Sequence, residues 1–530
     1  MTYFTETGRA PVMAKNGMAA TSHPRASEVA IEILKAGGNA MDAAVAACAV
    51  QCVVEPQSTG IGGDCFAIYS PSGGIDYHAY NGSGRAPAAA QPEWFKTQGI
   101  TEIGERSPHA VTVPGAVDAW DRLISDHGRM SLAELLAPAI KFARDGYKIE
   151  ARVAADFWRN RDCIETSSPA AKVFKPDGMM PKFGDVHRQL LLAQTLQIIG
   201  AEGRDGFYRG AVADDIVTYL QNLGGLHTLE DFGEARGEYV KPIKANFRGY
   251  DIFQCPPNGQ GIIALMLLKI IERFDRGGVS PMDTERVHRE IETGRLGYHY
   301  RDAYLADPIK ADVPVDAMLS AETIDRLFKA IGDKKTASLS DYDLPDHQDT
   351  VYISVVDKDR NCASFINTLF MSFGSGLMAP KTGVMLHNRG RGFTLQSGHP
   401  NEIAGNKRPL HTIIPGMVAK NGKTIMPFGV MGGAYQAFGH MQFLSRLFDY
   451  GYDIQAAMDV PRFFPNPVTG KVEVEPDMDD DLLQDIVGRG HDTVPSPIPI
   501  GGSQAIWIDW DAGMLLGGSD PRKDGCAVGY

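Results

Sequence analysis

The sequence predicts a layered fold that combines α-helices and β-strands, of the α/β or α+β type. Strand-like and helical patterns alternate along most of the chain, as they do in layered folds. The segment of residues 40–54, AMDAAVAACAVQCVV, is apolar on all sides and predicts a helix buried on every face. The chain has 530 residues, of which 43% are hydrophobic, and can bury a large core without disulfides or metals.

Local signals predict the first elements. Residues 24–36 have the spacing of an amphipathic helix, and the glycine pair at 37–38 is expected to end it. Asn39 is then expected to cap the buried helix. Asp42 lies in the first turn, where the helix dipole favours a negative charge. After a Gly-rich turn, residues 65–69 predict a strand.

Further along the chain, capping patterns and apolar runs predict more elements. Residues 131–134 and 228–231 each have the spacing of a capping box at the start of a helix. Residues 247–255 have a strand-like pattern, and residues 262–274 have a helical one. The alternation of the two patterns therefore continues into the middle of the chain.

The boundary between Asp349 and Thr350 is the most pronounced in the sequence. Residues 313–349 are interpreted as a linker or exposed loop, and Thr350 opens a predicted β-hairpin around a turn at 357–361. A threonine hydroxyl becomes an effective nucleophile when the residue begins a chain, because its own α-amine is then the base. At Thr350 this chemistry requires cleavage of the Asp349–Thr350 peptide bond, which an exposed loop before a rigid strand permits.

Charge and composition exclude several classes of protein. The formal net charge is −13 and no stripe of Lys and Arg occurs, so no nucleic-acid partner is expected. The apolar stretches at residues 43–54 and 262–271 are too short to cross a membrane, and no leader pattern opens the chain. The seven cysteines do not have the spacing of a disulfide scaffold, and no zinc signature occurs. We therefore expect a cytoplasmic protein with no metal.

Long motifs in a characteristic order resemble one known family. They include GMAATSHPRASEVAIEILKAGGNAMDAAVAA, VVEPQSTGIGGD, VPGAVDAW, APAIKFARDGY, NKRPL, MGGAYQ and GGSDPR. The chain is identified as a member of the γ-glutamyltransferase (γ-glutamyltranspeptidase, glutathione hydrolase) family of N-terminal-nucleophile hydrolases. The resemblance implies a four-layer αββα sandwich and a proenzyme that cuts itself before Thr350. The fragments 1–349 and 350–530 would then intertwine in one globular unit.

The resemblance also implies the catalytic residues. Thr350 matches the nucleophile that attacks an amide carbonyl and forms an acyl-enzyme, and Thr368 matches a second threonine that orients it. Gly432 and Gly433 match the pair whose backbone N–H groups stabilise the oxyanion. The base is the amine of the nucleophile itself, so no organic cofactor is implied, and the partner is a small-molecule amide.

The positions that recognise the glutamyl group in the family differ here. Ser83 stands where an arginine holds the α-carboxylate, although Arg85 lies two residues further on. The other changed positions are Phe370 for an Asn, Arg389 for a Gln, Gly392 for an Asp, and His411 and Thr412 for two serines. The changes at Phe370 and Arg389 remove acceptors and add positive charge, which disfavours an unpaired ammonium group. Arg389 or Arg391 is a candidate grip for a substrate carboxylate, and the alternative is that both are solvated loop residues.

Two classes of function follow. The first is a self-processing amidohydrolase or acyltransferase. Its family default is a γ-glutamyl-type amide, and its alternative is an acyl group without the amine, such as oxamate or a glutaryl or β-lactam side chain. The second class is an unprocessed binding protein with no catalysis. The sequence leaves open whether the processed heterodimer forms a homo-oligomer.

Overall fold

The computed structural model describes residues 8–275, 280–336 and 350–530. The strands of this part of the chain are β1 Val12–Ala14, β2 Met18–Thr21, β3 Asp64–Ser70, β4 His78–Gly82, β5 Tyr147–Lys148, β6 Val186–His187, β7 Glu238–Val240, β8 Ile243–Phe247, β9 Tyr250–Gln254, β10 Val351–Val356, β11 Cys362–Thr368, β12 Gly416–Lys420, β13 Lys423–Met431, β14 Phe463–Pro465, β15 Val472–Val474, β16 Thr493–Pro495, β17 Gly502–Asp509, β18 Met514–Ser519 and β19 Cys526–Gly529.

The helices of the same residues surround these strands. They are α1 Pro24–Lys35, α2 Ala40–Val54, α3 Pro92–Thr97, α4 Ala116–His127, α5 Leu132–Asp145, α6 Ala151–Arg159, α7 Arg161–Ile164, α8 Ser168–Phe174, α9 Leu190–Glu202, α10 Asp205–Tyr208, α11 Gly210–Asn222, α12 Leu229–Glu234, α13 Gly261–Ile271, α14 Thr284–Tyr304, α15 Val315–Met318, α16 Ala321–Ala330, α17 Tyr435–Phe448, α18 Ile454–Asp459 and α19 Asp480–Gly488. Among the residues described, none of these helices combines the length and apolar character needed to cross a bilayer.

Two seven-stranded sheets form the centre of the molecule. The first has the order β1-β18-β17-β13-β12-β9-β8, and the second has the order β19-β2-β10-β11-β3-β4-β7. Side chains from both sheets, including Phe66, Tyr352 and Met431, form one buried cluster between them. Helix α2 packs on the outer face of the second sheet, and α13 and α17 pack on the outer face of the first. The predicted αββα sandwich is therefore confirmed.

The two sheets approach each other closely at Gly429 of β13. A Cβ atom at this position would lie 2.4 Å from the ring of Tyr352 on the opposite sheet. Only glycine fits at that distance, because real Cβ atoms do not approach ring carbons so closely. Gly429 therefore allows the last residues of β13 to lie directly opposite the start of β10.

Each sheet combines strands from both sides of residue 350. In the second sheet, β10 and β11 lie between β2 and β3, which come from the first 70 residues of the chain. In the first sheet, β18 pairs with β1, and β12 pairs with β9. This interleaving agrees with the predicted fragments 1–349 and 350–530, whose boundary itself stays a prediction.

The local signals at the first helices are confirmed. The Asn39 side chain accepts hydrogen bonds from the backbone N–H groups of Met41 and Asp42, while the Asp42 carboxylate accepts one from Asn39 N–H. Every residue of α2 is buried, as its apolar sequence predicts. The predicted capping boxes at Ser131 and Thr228 also form. These contacts fix where three helices begin.

Two sequence predictions need correction. The linker predicted for residues 313–349 contains α15 and α16 in its first half. Ser320 caps α16, which buries Ile324 and Leu327, so its apolar face is what orders it. Residues 337–349 lie outside the described part of the chain. The strand predicted at 247–255 is part of a hairpin, because a turn at Arg248 and Gly249, both at positive φ, separates β8 from β9.

Candidate active site

Three side chains with reactive or charged groups lie in one row across the second sheet. Thr368 at the end of β11 pairs directly with Asp64 at the start of β3. Val351 pairs with Asn367, and continuing that register by one residue places Thr350 opposite Thr368. Directly paired residues of antiparallel strands project from the same face. Because Phe66 on β3 belongs to the cluster between the sheets, strand alternation places this row on the same inner face.

The hydroxyl groups of Thr350 and Thr368 meet at this row. Their oxygen atoms are 3.3 Å apart, and both residues are almost fully buried. The backbone N–H of Phe370 donates to the Thr368 oxygen at 2.8 Å. The side-chain N–H of Gln436 donates to the Thr350 oxygen at 3.4 Å. Thr350 is therefore held by one side chain from β11 and one from α17, which a lone strand threonine would not require.

A glycine turn opposite the threonine pair connects β13 to α17. Gly432 has φ +116° and Gly433 has φ +57°, a region that disfavours residues with a side chain. Their carbonyl groups accept hydrogen bonds from the N–H groups of Tyr435 and Gln436, which begin α17. The positive end of this helix dipole thus lies at the turn, which suits stabilisation of a developing negative charge.

Gln260 connects the glycine turn to the neighbouring loop. Its side-chain N–H donates to the carbonyl oxygens of Thr412 at 2.8 Å and of Gly433 at 3.0 Å. The hydroxyl of Thr412 in turn accepts a hydrogen bond from Arg389 at 3.2 Å. Through these contacts Arg389 belongs to the same buried assembly as Gly433.

Arg389 is a fully buried cation. Its guanidinium carbon lies 3.5 Å from the centre of the Phe370 ring, a close cation–π contact. The Nε and Nη2 atoms of Arg389 have no hydrogen-bond partner among the described residues. Burial lowers the pKa of Arg389 to about 9, and Asp64 opposes that shift. Two donors of this buried charged group thus lack an acceptor among the described residues, which is unusual for buried polar atoms.

Asp64 is the counter-charge of this cluster. Its carboxylate accepts hydrogen bonds from the backbone N–H groups of Gly84 and Gly115, and it lies 3.0 Å from Nε2 of His411. Burial acts to raise the pKa of Asp64, but His387, His411 and Arg389 outweigh it and lower the pKa to about 2. Burial lowers the pKa of His411 to about 3, so that His411 is neutral and Asp64 is ionised near neutral pH.

The other predicted binding residues lie in different surroundings. Arg391 pairs with Glu102 and donates to the carbonyl of Ile103, as a partly exposed loop residue does. Of the two arginines, the structure therefore buries Arg389 fully and leaves Arg391 partly exposed. The alternative that both are solvated is wrong for Arg389, whose segment Arg389–Gly392 is a short 3-10 helix.

Ser83 and Arg85 do not form a carboxylate grip with the threonine pair. The Ser83 hydroxyl accepts a hydrogen bond from Asn258 and is buried. Arg85 pairs with Asp307 at 3.3 Å and donates to the carbonyl of Asn406. Both residues line a cavity of about 360 Å³ whose lining does not include Thr350, Thr368 or Arg389. The hypothesis that Arg85 substitutes for the family arginine is thus not supported by its contacts.

The structure brings some of the predicted site residues together. Thr350, Thr368, Phe370, Arg389, His411 and Thr412 lie together with the glycine pair. Asp349, the other side of the predicted cleavage bond, lies outside the described residues. Within the described ranges, no group of three or more His, Cys, Asp or Glu side chains is arranged to hold a metal.

Comparisons with known proteins show to which family the chain belongs. The model of the gamma-glutamyltranspeptidase family matches residues 26–530. The chain belongs to the γ-glutamyltranspeptidase family. It is 36% identical to the glutathione hydrolase-like YwrD proenzyme of Bacillus subtilis over 526 residues, covering 98% of this chain and 99% of that protein. It is also 31% identical to the oxamate amidohydrolase proenzyme of Klebsiella pneumoniae, covering 97% of this chain and 98% of that protein.

A solved structure shows the same architecture. The cephalosporin acylase from Bacillus halodurans matches with a TM-score of 0.92 and 38% identity, covering 100% of this chain and 98% of that one. This γ-glutamyltranspeptidase-family chain is therefore an amidohydrolase or acyltransferase, and the enzyme prediction is confirmed over the binding-protein alternative.

The residues of this γ-glutamyltranspeptidase-family site that are absent from the sequence prediction include Asp64, Gln436 and His387. Asp64 and Gln436 are the last residues of the motifs VVEPQSTGIGGD and MGGAYQ. Their place in these motifs is the sequence feature that could have indicated a role in the site. His387 was detectable only as a histidine two residues before Arg389. Their contacts with Arg389, His411 and Thr350 depend on packing between distant segments.

Proposed function

We propose that this enzyme cleaves its own chain before Thr350 and then uses Thr350 as the nucleophile that attacks amide bonds. The observation that carries the proposal is the pair of buried hydroxyl oxygens of Thr350 and Thr368, 3.3 Å apart. A free α-amine on Thr350 would be the base, since a threonine hydroxyl is a weak nucleophile without one. Thr368 then orients the attacking oxygen.

The chemistry uses the groups that surround this oxygen. Thr350 Oγ attacks the amide carbonyl carbon, and its proton passes through the α-amine to the departing amine. The backbone N–H groups of Gly432 and Gly433 are the proposed donors to the oxyanion, at the start of α17. Water then hydrolyses the acyl-enzyme, or an acceptor amine takes the acyl group.

The unpaired donors of Arg389 support an acyl group that carries a carboxylate. A substrate carboxylate would satisfy the two donors of Arg389 that lack an acceptor among the described residues, and the pair would be charge-assisted. Phe370 offers no acceptor to an ammonium group at the position where the family has an Asn. We therefore propose an acyl group that carries a carboxylate and no α-amine, as oxamate does.

A γ-glutamyl-type amide is the second candidate. It also carries a carboxylate that Arg389 would hold, and the glutathione hydrolase-like YwrD proenzyme supports it by its name. The two candidates differ by one ammonium group. The γ-glutamyl and glutaryl p-nitroanilides differ by that group alone and make a matched pair of substrates.

One experiment tests the nucleophile and the substrate class together. The purified chain is incubated, separated on a denaturing gel, and its new N-terminus is sequenced. We expect two fragments with Thr350 at the start of the smaller one, while Thr350→Ala stays uncut and inactive. An active Thr350→Ala variant contradicts the proposal. Faster turnover of the glutaryl than of the γ-glutamyl p-nitroanilide supports the carboxylate class, and the reverse order supports the second candidate.

A further inference from the structure

Gln436 is the second residue of α17, and its side chain spans the gap between the two sheets. Its Nε2 atom lies 3.4 Å from the Thr350 hydroxyl oxygen, and its Oε1 atom accepts the backbone N–H of Ile414 at 3.1 Å. A backbone N–H can only donate, so the oxygen of the amide must face Ile414. The amide NH₂ group of Gln436 is therefore fixed toward Thr350.

This orientation gives the nucleophile oxygen a permanent hydrogen-bond donor. One lone pair of Thr350 Oγ is occupied by Gln436, so the hydroxyl proton must point to another group. A donor in this position also stabilises negative charge on the oxygen, and it does so best where water is excluded. Hydrogen bonds of this kind are often long in unliganded sites, as the 3.4 Å separation is.

We propose that Gln436 is a catalytic residue that stabilises the Thr350 oxygen when it departs from the acyl-enzyme. This proposal rests on the function proposed above. In deacylation, water attacks the carbonyl carbon of the Thr350 ester, and the C–Oγ bond breaks with its electron pair on Oγ. The proton that water loses passes through the α-amine of Thr350 to Oγ. The products are the free carboxylic acid and the regenerated hydroxyl.

The same bond is broken during self-cleavage. Attack of Thr350 Oγ on the Asp349 carbonyl forms an ester and frees the α-amine, and water must then hydrolyse that ester. Thr350 Oγ departs in both ester hydrolyses, so loss of the Gln436 donor slows both. An ester at Thr350 should accumulate in each case.

The test uses the variants Gln436→Leu and Gln436→Glu. Leucine removes both functions of the amide, whereas the carboxylate introduced by Gln436→Glu would still accept the Ile414 N–H and, when ionised, would lack the donor. Gln442→Leu is the matched control, because Gln442 is a buried glutamine of the same helix whose Oε1 accepts the Tyr435 hydroxyl. Release of p-nitroaniline is followed by stopped flow with whichever of the glutaryl and γ-glutamyl anilides the wild type turns over faster.

We expect both Gln436 variants to release a burst of p-nitroaniline followed by a steady rate at least ~10-fold below that of the wild type. Intact mass should show the acyl adduct on the fragment that begins at Thr350. The Gln442→Leu variant should show neither effect. A lower steady rate without burst or adduct, or equal behaviour of the Gln436 and Gln442 variants, overturns the proposal.

A variant that does not cleave itself still gives a result. Hydroxylamine cuts an ester at Thr350 and leaves an intact peptide bond, so two fragments after treatment support the proposal and an uncut chain overturns it. Turnover by Thr350→Ala would defeat the proposed function together with this inference. An inactive Thr350→Ala, combined with Gln436 variants that show no stalled ester, would defeat this inference alone.

Discussion

The guanidinium carbon of Arg389 lies 3.5 Å from the centre of the Phe370 ring, and both residues are buried. Phe370 has φ +83°, a backbone conformation that is costly for a residue with a large side chain. The fold maintains this strain where Phe370 N–H also donates to Thr368. One unusual residue thus positions the buried cation and the threonine pair together.

Replacement of Arg389 by Lys tests the carboxylate grip. Lysine keeps the charge but lacks the planar fork that binds a carboxylate through two parallel hydrogen bonds. We expect kcat/KM for the glutaryl anilide to fall roughly 10- to 100-fold, corresponding to the loss of a charge-assisted hydrogen bond. Arg391→Lys is the control and should change kcat/KM less than ~3-fold, because Arg391 pairs with Glu102 near the surface. Equal losses in the two variants would contradict the assignment.

Replacement of Thr368 by Val tests the orienting hydroxyl. Valine has nearly the same shape, so the strand pairing of β11 with β3 should persist. We expect kcat to fall about 10²-fold or more, with KM little changed, and self-cleavage to slow in parallel. Steady-state kinetics and timed denaturing gels measure the two rates. Wild-type rates in Thr368→Val would mean that the Thr368 hydroxyl has no role in the reaction.

Replacement of Asp64 by Asn tests the counter-charge of Arg389. The variant leaves the buried Arg389 guanidinium without the charge of Asp64, with which it forms no direct ion pair. The loss in the free energy of unfolding at pH 7 should therefore lie below the about 3–5 kcal/mol expected for a broken buried ion pair. Adding Arg389→Met to Asp64→Asn should recover part of that loss. Urea denaturation of the single and double variants gives the coupling energy. Strictly additive effects would show that the two charges do not interact.

Acid should destabilise the protein below pH 6.5 because of its buried histidines. Burial lowers the pKa of His23, His411 and His440 to about 3. Burial also lowers the pKa of His187 and His227 to about 4. In the unfolded chain these histidines bind a proton near pH 6.5. In the folded chain they bind it only near pH 3 to 4. The stabilising contribution of these groups is therefore complete above pH 6.5 and decreases as the pH falls.

The slope of the free energy of unfolding against pH distinguishes titration of several buried histidines from titration of one. Each such histidine contributes up to ~1.4 kcal/mol per pH unit once the unfolded form is fully protonated. We expect the free energy of unfolding to fall by several kcal/mol between pH 6.5 and 5, as measured by urea denaturation at fixed ionic strength. The Asp64 carboxylate, whose pKa is lowered to about 2 despite burial, should add a further loss only below about pH 4. A flat profile from pH 7 to 5 would contradict the buried neutral state.

The sequence could predict those features whose causes are local. The cap at Asn39 needs only three neighbouring residues, and the strand pairing that brings Thr350 to Thr368 follows from one tight hairpin. The charge of Arg389 was visible, but its burial was not, because a Gly-rich segment normally indicates a solvated loop. Gln436 lies 86 positions from Thr350 and reaches it only because two sheets pack face to face.

The interleaved sheets have a consequence for the fate of a cut chain. Because β10 and β11 lie between β2 and β3, the two pieces produced by a break before Thr350 share a continuous network of main-chain hydrogen bonds. Neither piece can leave without dismantling both sheets, so dilution alone will not dissociate them. We therefore expect the proposed cleavage before Thr350 to follow assembly of the two sheets. After denaturation, the two pieces would no longer have the covalent connection that joined them when the chain first folded.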